Sequence, residues 1–298
     1  MSKIITPVVT ILDKDEKIDL QGNDVIIEHL VAGGVDGILV LGSTGEFTTL
    51  SYDEKAEFFA YYAEKVAGRA ELYAGVNCPN LRDTIRLAHE ALRLGYHGVL
   101  DTGPYYFAMD EETIFNYYDA LLKAVPGNVY IYNFPDRTGH TIAPATVKKL
   151  RDEHPNLRGM KDSVQTPGHT RDVCFAVDRP DFEMYSGFDD QYLANLAAGG
   201  WGCISALSNL VPGIWSDLVR TQDAGDGPRS MELFCLITRL MQLYAVDTNF
   251  TKVFKRLLKD QGLPIQDFCV FPTRDLDEAK YAAGLRLLRD TLAEYEGL

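Results

Sequence analysis

The chain alternates short apolar runs with longer stretches of helical period. Eight runs are rich in Val, Ile, Leu and Tyr and are bounded by Gly, Asn, Asp or Pro, which is typical of buried parallel strands. Between the runs, apolar residues recur every three or four positions, as they do on one face of a helix. The predicted strands are residues 4–10, 37–41, 72–76, 98–100, 129–132, 157–160, 182–185 and 202–205.

Capping residues support the same alternation of strands and helices. Ser51 and Glu54 have the spacing of a capping box, and Asn80 with Asp83 marks the start of another helix. Eight strands alternating with helices over about 225 residues predict an α/β fold, a (β/α)₈ TIM barrel. A doubly wound open sheet is the alternative, but it usually has fewer strands, and no G-x-G-x-x-G turn follows the first strand.

A segment rich in Gly, Asp and Pro interrupts this alternation at residues 223–230. Beyond it the pattern is helical, and apolar residues from Phe250 to Leu258 repeat on one helix face. We therefore predict a catalytic (β/α)₈ barrel at residues 1–225 and a C-terminal helical extension at residues 226–298.

Composition and charge exclude several classes of function. The 298 residues are 46% hydrophobic and 24% charged, as in ordinary globular proteins. A net charge of −14 disfavours nucleic acids and anionic membranes as partners, because both require basic patches. The N-terminal residues do not form a signal peptide pattern, and no apolar run reaches the ~18 residues of a membrane span. Five scattered cysteines suggest reduced thiols, so we expect a cytoplasmic protein.

Lys161 and Tyr132 are the most informative pair of residues. Each lies at the end of an apolar run, and about 30 residues separate them, the length of one βαβ unit. On neighbouring parallel strands, their side chains would emerge at the same end of the sheet, roughly 5 Å apart. Such a lysine can form a Schiff base with a carbonyl substrate while the phenol moves protons.

Both residues also have structural explanations. Tyr132 could simply fill the barrel interior together with Tyr130, because the two alternate with Ile131 and face the same side. Lys161 could form an ion pair with a carboxylate from another strand, since proteins keep a buried lysine when it is paired with an opposite charge or has a function. Asp162 is a poor partner, because adjacent residues on a strand point to opposite faces.

Two further strand ends carry polar groups. In GSTGEF, backbone N–H groups and the hydroxyls of Ser43 and Thr44 can hold a carboxylate, or the segment is a tight turn without a ligand. It is not a P-loop, because no Gly-Lys-Ser/Thr follows. Tyr105 and Tyr106 point in opposite directions, so at most one can face the barrel mouth, and both could be packing or subunit contacts.

Metal and hydrolase chemistry have little support in the sequence. The six histidines lack H-x-H or H-E-x-x-H spacing. Asp189 and Asp190 could bind a cation, although acidic residues at a helix N-terminus are the more common reason for such a pair. A G-x-S-x-G nucleophile elbow does not occur in the chain. We therefore expect no metal site and no hydrolase triad.

The segments GSTGE, GPYY, YNFPDRTG, GMKDS, SGFDDQ and GCISA occur together and in this order. In this combination, the chain resembles the dihydrodipicolinate synthase/N-acetylneuraminate lyase family over essentially its whole length. The resemblance implies a pyruvate-type class I aldolase on a (β/α)₈ barrel that needs no external cofactor. It also implies small-molecule substrates, namely pyruvate and an aldehyde or their aldol adduct, and a homo-oligomer, a dimer or tetramer.

The resemblance implies roles for individual residues. Lys161 matches the Schiff-base lysine, and Tyr132 matches the phenol that shuttles protons to and from the substrate. Thr44 matches the hydroxyl that links this phenol to a second tyrosine. That second tyrosine matches Tyr106, which in many members reaches in from a neighbouring subunit. The N–H groups of Ser43 and Thr44 match the site of the pyruvate carboxylate.

The resemblance is less specific about the second substrate. Ile204, in GCISA, matches a residue whose backbone lines the pyruvate pocket, and Arg137 matches an arginine with which synthases hold the second substrate's carboxylate. Ser43 and Asp162 instead resemble the lyases, because synthases usually have G-T-T-G-E and place Glu after the lysine. In motif detail the chain resembles 2-keto-3-deoxy-gluconate-type aldolases.

We therefore predict reversible cleavage of a 2-keto-3-deoxy sugar acid to pyruvate and an aldehyde. The first alternative is a 4-hydroxy-tetrahydrodipicolinate synthase, which condenses pyruvate with aspartate semialdehyde. N-acetylneuraminate lyase and 4-hydroxy-2-oxoglutarate aldolase are further alternatives. A barrel that binds 2-oxo acids without catalysis also remains open.

Overall fold

Eight parallel strands form the centre of the protein in the computed structural model, which describes residues 2–298. The strands are β1 Lys3–Pro7, β2 Gly37–Val40, β3 Glu71–Gly75, β4 Gly98–Asp101, β5 Val129–Asn133, β6 Leu157–Asp162, β7 Glu183–Ser186 and β8 Gly202–Ile204. Each strand pairs with the next in sequence, and β8 pairs with β1, so the sheet closes into a barrel. The predicted (β/α)₈ fold is therefore confirmed.

The helices cover the barrel and continue beyond it. They are α1 Leu20–Ala32, α2 Tyr52–Val66, α3 Leu81–Arg93, α4 Glu111–Ala124, α5 Pro135–Thr138, α6 Pro144–Glu153, α7 Pro167–Val177, α8 Tyr192–Ala197, α9 Pro212–Asp223, α10 Gly227–Leu240, α11 Phe250–Asp260 and α12 Glu278–Glu296. Helix α5 is a single turn within the connection from β5 to α6. Within residues 2–298, none of the helices is long and apolar enough to cross a membrane.

Alternating strand residues form two separate cores, as the period of a strand requires. Outward residues such as Ile38 and Val99 pack against the helices. The inward residues fill the barrel, and they are Ile5, Leu39, Tyr73, Leu100, Tyr130, Tyr132, Tyr185 and Ile204. The prediction that Tyr130 and Tyr132 face the same side of their strand is confirmed.

A buried carboxylate organises the amino-terminal end of the barrel interior. Tyr130 and Tyr185 donate hydrogen bonds of 2.9 and 2.8 Å to Glu183, and Arg158 forms an ion pair with it at 2.9 Å. Burial, reinforced by the Glu183 charge, raises the pKa of Tyr130, so this phenol remains a hydrogen-bond donor. The interior tyrosines Tyr130 and Tyr185 are therefore held in a buried hydrogen-bond network around Glu183.

Two strands differ from their predicted bounds. β1 ends at Pro7 rather than at residue 10, because the N–H of Val9 donates to the side chain of Asn209 at 3.1 Å instead of to a strand. β6 continues beyond its predicted end and includes Lys161 and Asp162, because both pair with β7. The catalytic candidate thus belongs to the rigid sheet rather than to the following loop.

The C-terminal extension comprises α10, α11 and α12. The predicted break at residues 223–230 contains the turn between α9 and α10. The apolar face predicted for α11 is buried, as shown by Phe254, Leu257 and Leu258. We keep residue 225 as the proposed boundary between barrel and extension.

Candidate active site

A cavity of about 620 Å³ lies at the carboxyl-terminal end of the barrel strands. This is the end at which TIM barrels carry their active sites. Its floor comes from residues at the ends of β1, β5, β6 and β8, and α5 and the C-terminal extension complete the wall. The wall residues that come from the extension include Met241, Tyr244, Thr248, Asn249, Phe250, Thr251, Phe271 and Thr273.

Lys161 and Tyr132 lie side by side in this cavity. Their Cα atoms are register partners in the ladder between β6 and β5, and the Nζ of Lys161 is 4.3 Å from the centroid of the Tyr132 ring. The Lys161 side chain is almost fully buried, with 5% of the residue exposed. Among residues 2–298, no carboxylate lies within 4.0 Å of its Nζ. Lys161 is therefore a buried amine without an ion-pair partner, aimed into a cavity.

Asp162 points away from the cavity, as predicted from the alternation of the strand. Its carboxylate accepts hydrogen bonds from Asn133 at 2.8 Å and Thr170 at 2.7 Å, and it pairs with His169 at 2.8 Å. Burial alone would lower the pKa of His169, but the hydrogen bond and charge of Asp162 outweigh it and raise that pKa. These contacts fasten the end of β6 to α7 and so hold Lys161 in place.

Among residues 2–298, the Tyr132 hydroxyl has one hydrogen-bond partner. The hydroxyl of Ser163 donates to the Tyr132 hydroxyl at 3.4 Å, which is a long hydrogen bond. Thr44 also lines the cavity, but the structure records no direct hydrogen bond between Thr44 and Tyr132. Sequence reasoning missed Ser163, although its position two residues after Lys161 places it on the same face.

The segment after β2 forms the tight turn predicted for GSTGEF. Residues Ser43–Gly45 make one turn of 3-10 helix, closed by the N–H of Glu46 donating to the carbonyl of Ser43 at 3.2 Å. The first N–H groups of such a turn have no partner within it. The N–H groups of Ser43 and Thr44 therefore make no hydrogen bond within the turn. Both residues line the cavity.

The two adjacent tyrosines separate, as the sequence predicts. Tyr105 lines the cavity and packs edge-on against Phe47, with ring centroids 6.4 Å apart. Tyr106 has a left-handed backbone with φ 83° and is 86% exposed. Its ring packs against Phe107, which is itself 69% exposed. Tyr106 therefore does not contribute to the cavity of its own chain.

Arg137 and Ile204 both line the cavity. Arg137 lies on the short helix α5, and its guanidinium is 5.7 Å from the ring of Phe134, which in turn stacks on Tyr132. Within residues 2–298 the guanidinium has no ion-pair partner. Ile204 ends β8 and is almost fully buried beside the interior tyrosines.

The acidic pair after β7 does not form an open cation site. Asp189 is buried and accepts hydrogen bonds from the hydroxyls of Ser205 and Tyr244. Burial raises the pKa of Asp189 to about 6, and these hydrogen bonds only partly oppose the rise. It begins a 3-10 turn that leads into α8, in line with the helix-terminus explanation.

The chain is similar to aldolases and synthases of known sequence. A profile described as the Dihydrodipicolinate synthetase family matches residues 1–290. YagE of Escherichia coli (strain K12), provisionally named a 2-dehydro-3-deoxy-D-gluconate aldolase, is 32% identical over 288 residues, which cover 96% of this chain and 95% of YagE. YjhH of the same organism, provisionally named a 2-dehydro-3-deoxy-D-pentonate aldolase, is 30% identical over 279 residues, 93% of each chain.

A synthase and a solved structure complete the comparison. The 4-hydroxy-tetrahydrodipicolinate synthase of Kosmotoga olearia is 33% identical over 250 residues, 83% of each chain. The crystal structure of YagE in complex with pyruvate superposes with a TM-score of 0.94 at 32% identity, covering 98% of each chain. The match to the profile and these relatives span nearly all the strands and helices described above. The chain therefore belongs to the dihydrodipicolinate synthetase family.

Proposed function

We propose that the protein is a class I aldolase that reversibly cleaves a 2-keto-3-deoxy sugar acid to pyruvate and an aldehyde. The observation that carries this proposal is the pair of Lys161 and Tyr132. The Lys161 amine lies 4.3 Å from the Tyr132 ring centroid in the cavity and, among residues 2–298, has no carboxylate partner. Family membership and the aldolase names of YagE and YjhH support a pyruvate-dependent lyase.

The lysine supplies the electrophilic activation. The neutral amine of Lys161 attacks the C2 ketone of the substrate to give a carbinolamine. Tyr132 donates its phenol proton to the departing hydroxyl, which leaves water, an iminium ion and the Tyr132 phenolate. Tyr132 takes the proton of the C4 hydroxyl as the C3–C4 bond breaks, and the bond electrons move into the iminium to form an enamine. The aldehyde leaves, the enamine is protonated at C3, and water releases pyruvate from Lys161. In the reverse direction the enamine adds to the aldehyde and Tyr132 returns the proton.

The remaining predicted residues would orient the substrate. The N–H groups of Ser43 and Thr44 would bind the carboxylate, because they stand at the free end of a 3-10 turn. The backbone of Ile204 would border the pyruvate portion. Ser163 is the nearest polar group to the Tyr132 hydroxyl and would accompany Thr44 in the proton relay.

Tyr106 would complete the relay only from a second copy of the chain. Its ring and that of Phe107 form an exposed aromatic pair, an unusual arrangement for a surface in contact with water. A homo-oligomer in which Tyr106 enters the neighbour's cavity would cover this pair. The five cysteines are unpaired, in keeping with the predicted cytoplasmic location, which stays a prediction.

The far wall of the cavity favours a polyhydroxylated substrate. It carries hydroxyl and amide side chains among apolar residues such as Phe250 and Val270. The hydroxyls of Thr49 and Thr273 already donate to backbone carbonyls, and the other polar groups can exchange hydrogen bonds with a sugar chain. The hydroxyl and amide side chains are Thr48, Thr49, Thr248, Asn249, Thr251 and Thr273. The synthase alternative has one specific observation in its favour: the unpaired guanidinium of Arg137 on the same cavity could hold a second carboxylate.

A substrate panel tests the proposal directly. We expect pyruvate release from 2-keto-3-deoxy-gluconate or 2-keto-3-deoxy-pentonate with a kcat/KM at least ~100-fold above that for condensing pyruvate with aspartate semialdehyde, because a site built for hydroxyls disfavours a substrate without them. Coupled assays of pyruvate measure both reactions, and Lys161→Arg is the control for background cleavage. Faster turnover with aspartate semialdehyde would support the synthase instead.

Replacement of Arg137 separates the two substrate classes further. With a neutral sugar aldehyde we expect Arg137→Ala to change the KM of the aldehyde less than ~3-fold, because no carboxylate is then lost from a charge-assisted pair. With aspartate semialdehyde, the same change should raise the KM of that substrate about 10-fold or more. Steady-state kinetics with each aldehyde measure this difference. Arg137→Lys serves as the charge-retaining comparison, and the oligomer mass of Arg137→Ala reports any effect on assembly.

A further inference from the structure

The cavity wall contains a single acidic side chain, Glu46, among residues 2–298. Its carboxylate forms an ion pair with Lys255, a residue of α11 in the C-terminal extension. Lys255 is fully buried, with 0% of the residue exposed, and it also donates to the carbonyl of Phe268 at 2.8 Å. Lys255 itself is not part of the cavity wall. The two charges therefore meet just behind the surface that the substrate would contact.

Glu46 directly follows the turn proposed to bind the substrate carboxylate. Its backbone is left-handed, with φ 56° and ψ 35°, a conformation that favours Gly over any residue with a side chain. The carbonyl of Glu46 also accepts from the N–H of Thr49 at 3.0 Å, which continues the chain into a second 3-10 turn. Position 46 thus carries a Glu side chain although its left-handed backbone conformation favours Gly. This side chain lies beside the N–H groups that would bind an anion.

An unpaired carboxylate at this position would oppose substrate binding. The basic side chains on the cavity wall are those of Lys161 and Arg137, and neither opposes the binding of a 2-oxo acid anion. The titratable neighbour on the side of the extension is Cys269, and burial raises the pKa of this thiol to about 11, so it remains uncharged at neutral pH. Among residues 2–298, Lys255 is the one basic side chain that forms an ion pair with Glu46.

We propose that Lys255 is a positioning residue for the substrate carboxylate, which acts through Glu46 without touching the substrate. Lys255 compensates the negative charge of Glu46 from the side of Glu46 that faces away from the cavity. The turn at residues 43–46 can therefore bind an anion without electrostatic repulsion from Glu46. The ion pair also connects the C-terminal extension to the anion-binding end of the barrel. This inference rests on the proposed function, because it assumes that a 2-oxo acid binds at this turn.

The test compares the pyruvate affinity of charge-altered variants. The readout is the pyruvate concentration that gives half-maximal borohydride-trapped adduct on Lys161. We expect Lys255→Met to raise this concentration about 10- to 100-fold, because one uncompensated like charge then lies beside the carboxylate site. The maximal turnover number at saturating substrate should change less than ~3-fold, as for a loss of uniform binding.

Removal of the carboxylate should reverse the defect. In Lys255→Met/Glu46→Gln, we expect the half-saturating concentration to return to within ~3-fold of the unaltered protein, because no free charge remains. Glu46→Gln alone keeps the hydrogen bond with Lys255 and should bind pyruvate as well as the unaltered protein or better. Lys3→Met is the matched control, since Lys3 forms an ion pair with Glu71 at the opposite end of the barrel.

Several outcomes would overturn the inference. If the ion pair only tethers the extension to the barrel, the double variant should bind pyruvate no better than Lys255→Met, with no rescue. Should Lys255→Met fail to fold, weaker pyruvate binding by Glu46→Gln would still refute charge neutralisation. Normal adduct formation in the unaltered protein and in Lys255→Met would refute this inference alone. Absence of any Lys161 adduct in the unaltered protein would refute the proposed function, and the inference with it.

Discussion

Replacing Lys161 by Arg is expected to reduce aldol cleavage to background, a loss of roughly 10⁴-fold or more. Arg keeps a long aliphatic stem beside the Tyr132 ring, but its guanidinium does not form an imine with the substrate ketone. The loss should therefore arise from chemistry rather than from folding. Circular dichroism and the melting temperature of Lys161→Arg provide the control, and both should stay close to those of the unaltered protein.

The same prediction has a covalent readout. Borohydride added with pyruvate should reduce the imine to a stable amine, and mass spectrometry of the digest should locate one pyruvyl group on Lys161. Lys55 and Lys255 are internal controls, because both are buried lysines, and Lys255 is the one that forms an ion pair. An adduct on either of them, or full activity in Lys161→Arg, would contradict the assignment.

Replacing Tyr132 by Phe is expected to lower the turnover number by about 10²- to 10⁴-fold, the usual cost of losing one general acid–base group. The Phe ring can still pack against Phe134 and lie beside the amine of Lys161, so the shape of the site is retained. The hydroxyl that faces Ser163 would be lost. Single-turnover kinetics should show slow C–C cleavage, with imine formation affected less.

Tyr130→Phe is the matched control for this variant. Tyr130 lies on the same strand and the same face, but its hydroxyl donates to Glu183 at the opposite end of the barrel interior. We expect Tyr130→Phe to lower the free energy of unfolding by about 1–3 kcal/mol, the cost of leaving a buried acceptor short of a donor, and to leave the turnover number unchanged. Equal kinetic losses in both variants would indicate a general effect on the barrel and remove the case for Tyr132 as proton shuttle.

The barrel could be predicted from the sequence because burial determines how apolar residues repeat along each strand and helix. All eight apolar runs became strands, and the capping residues Ser51 and Asn80 cap α2 and α3 as expected. The pairing of Tyr132 with Lys161 followed from the same logic, since consecutive strands of a parallel barrel are neighbours. Local pattern and global fold agree at these positions, as they do in foldable sequences.

The far side of the site could not be predicted in this way. The apolar pattern of α11 does not indicate that Lys255 is buried, whereas the structure buries it completely against Glu46. Likewise, nothing local indicates that Thr248 and Thr273 line the cavity, because their place depends on how the segments on either side of α11 pass over the barrel mouth. Contacts between residues so distant in sequence are set by tertiary packing and leave no periodic signal.

The wall contributed by the C-terminal extension has a consequence for the growing chain on the ribosome. The strands that carry Tyr132 and Lys161 are synthesised and can pair before α11 exists, whereas Thr248, Thr251 and Thr273 emerge later. Before these residues emerge, the cavity beside Lys161 lacks this part of its wall. Because these three threonines line the same cavity as Lys161, this part of the cavity wall is complete only after the chain has been synthesised through residue 273.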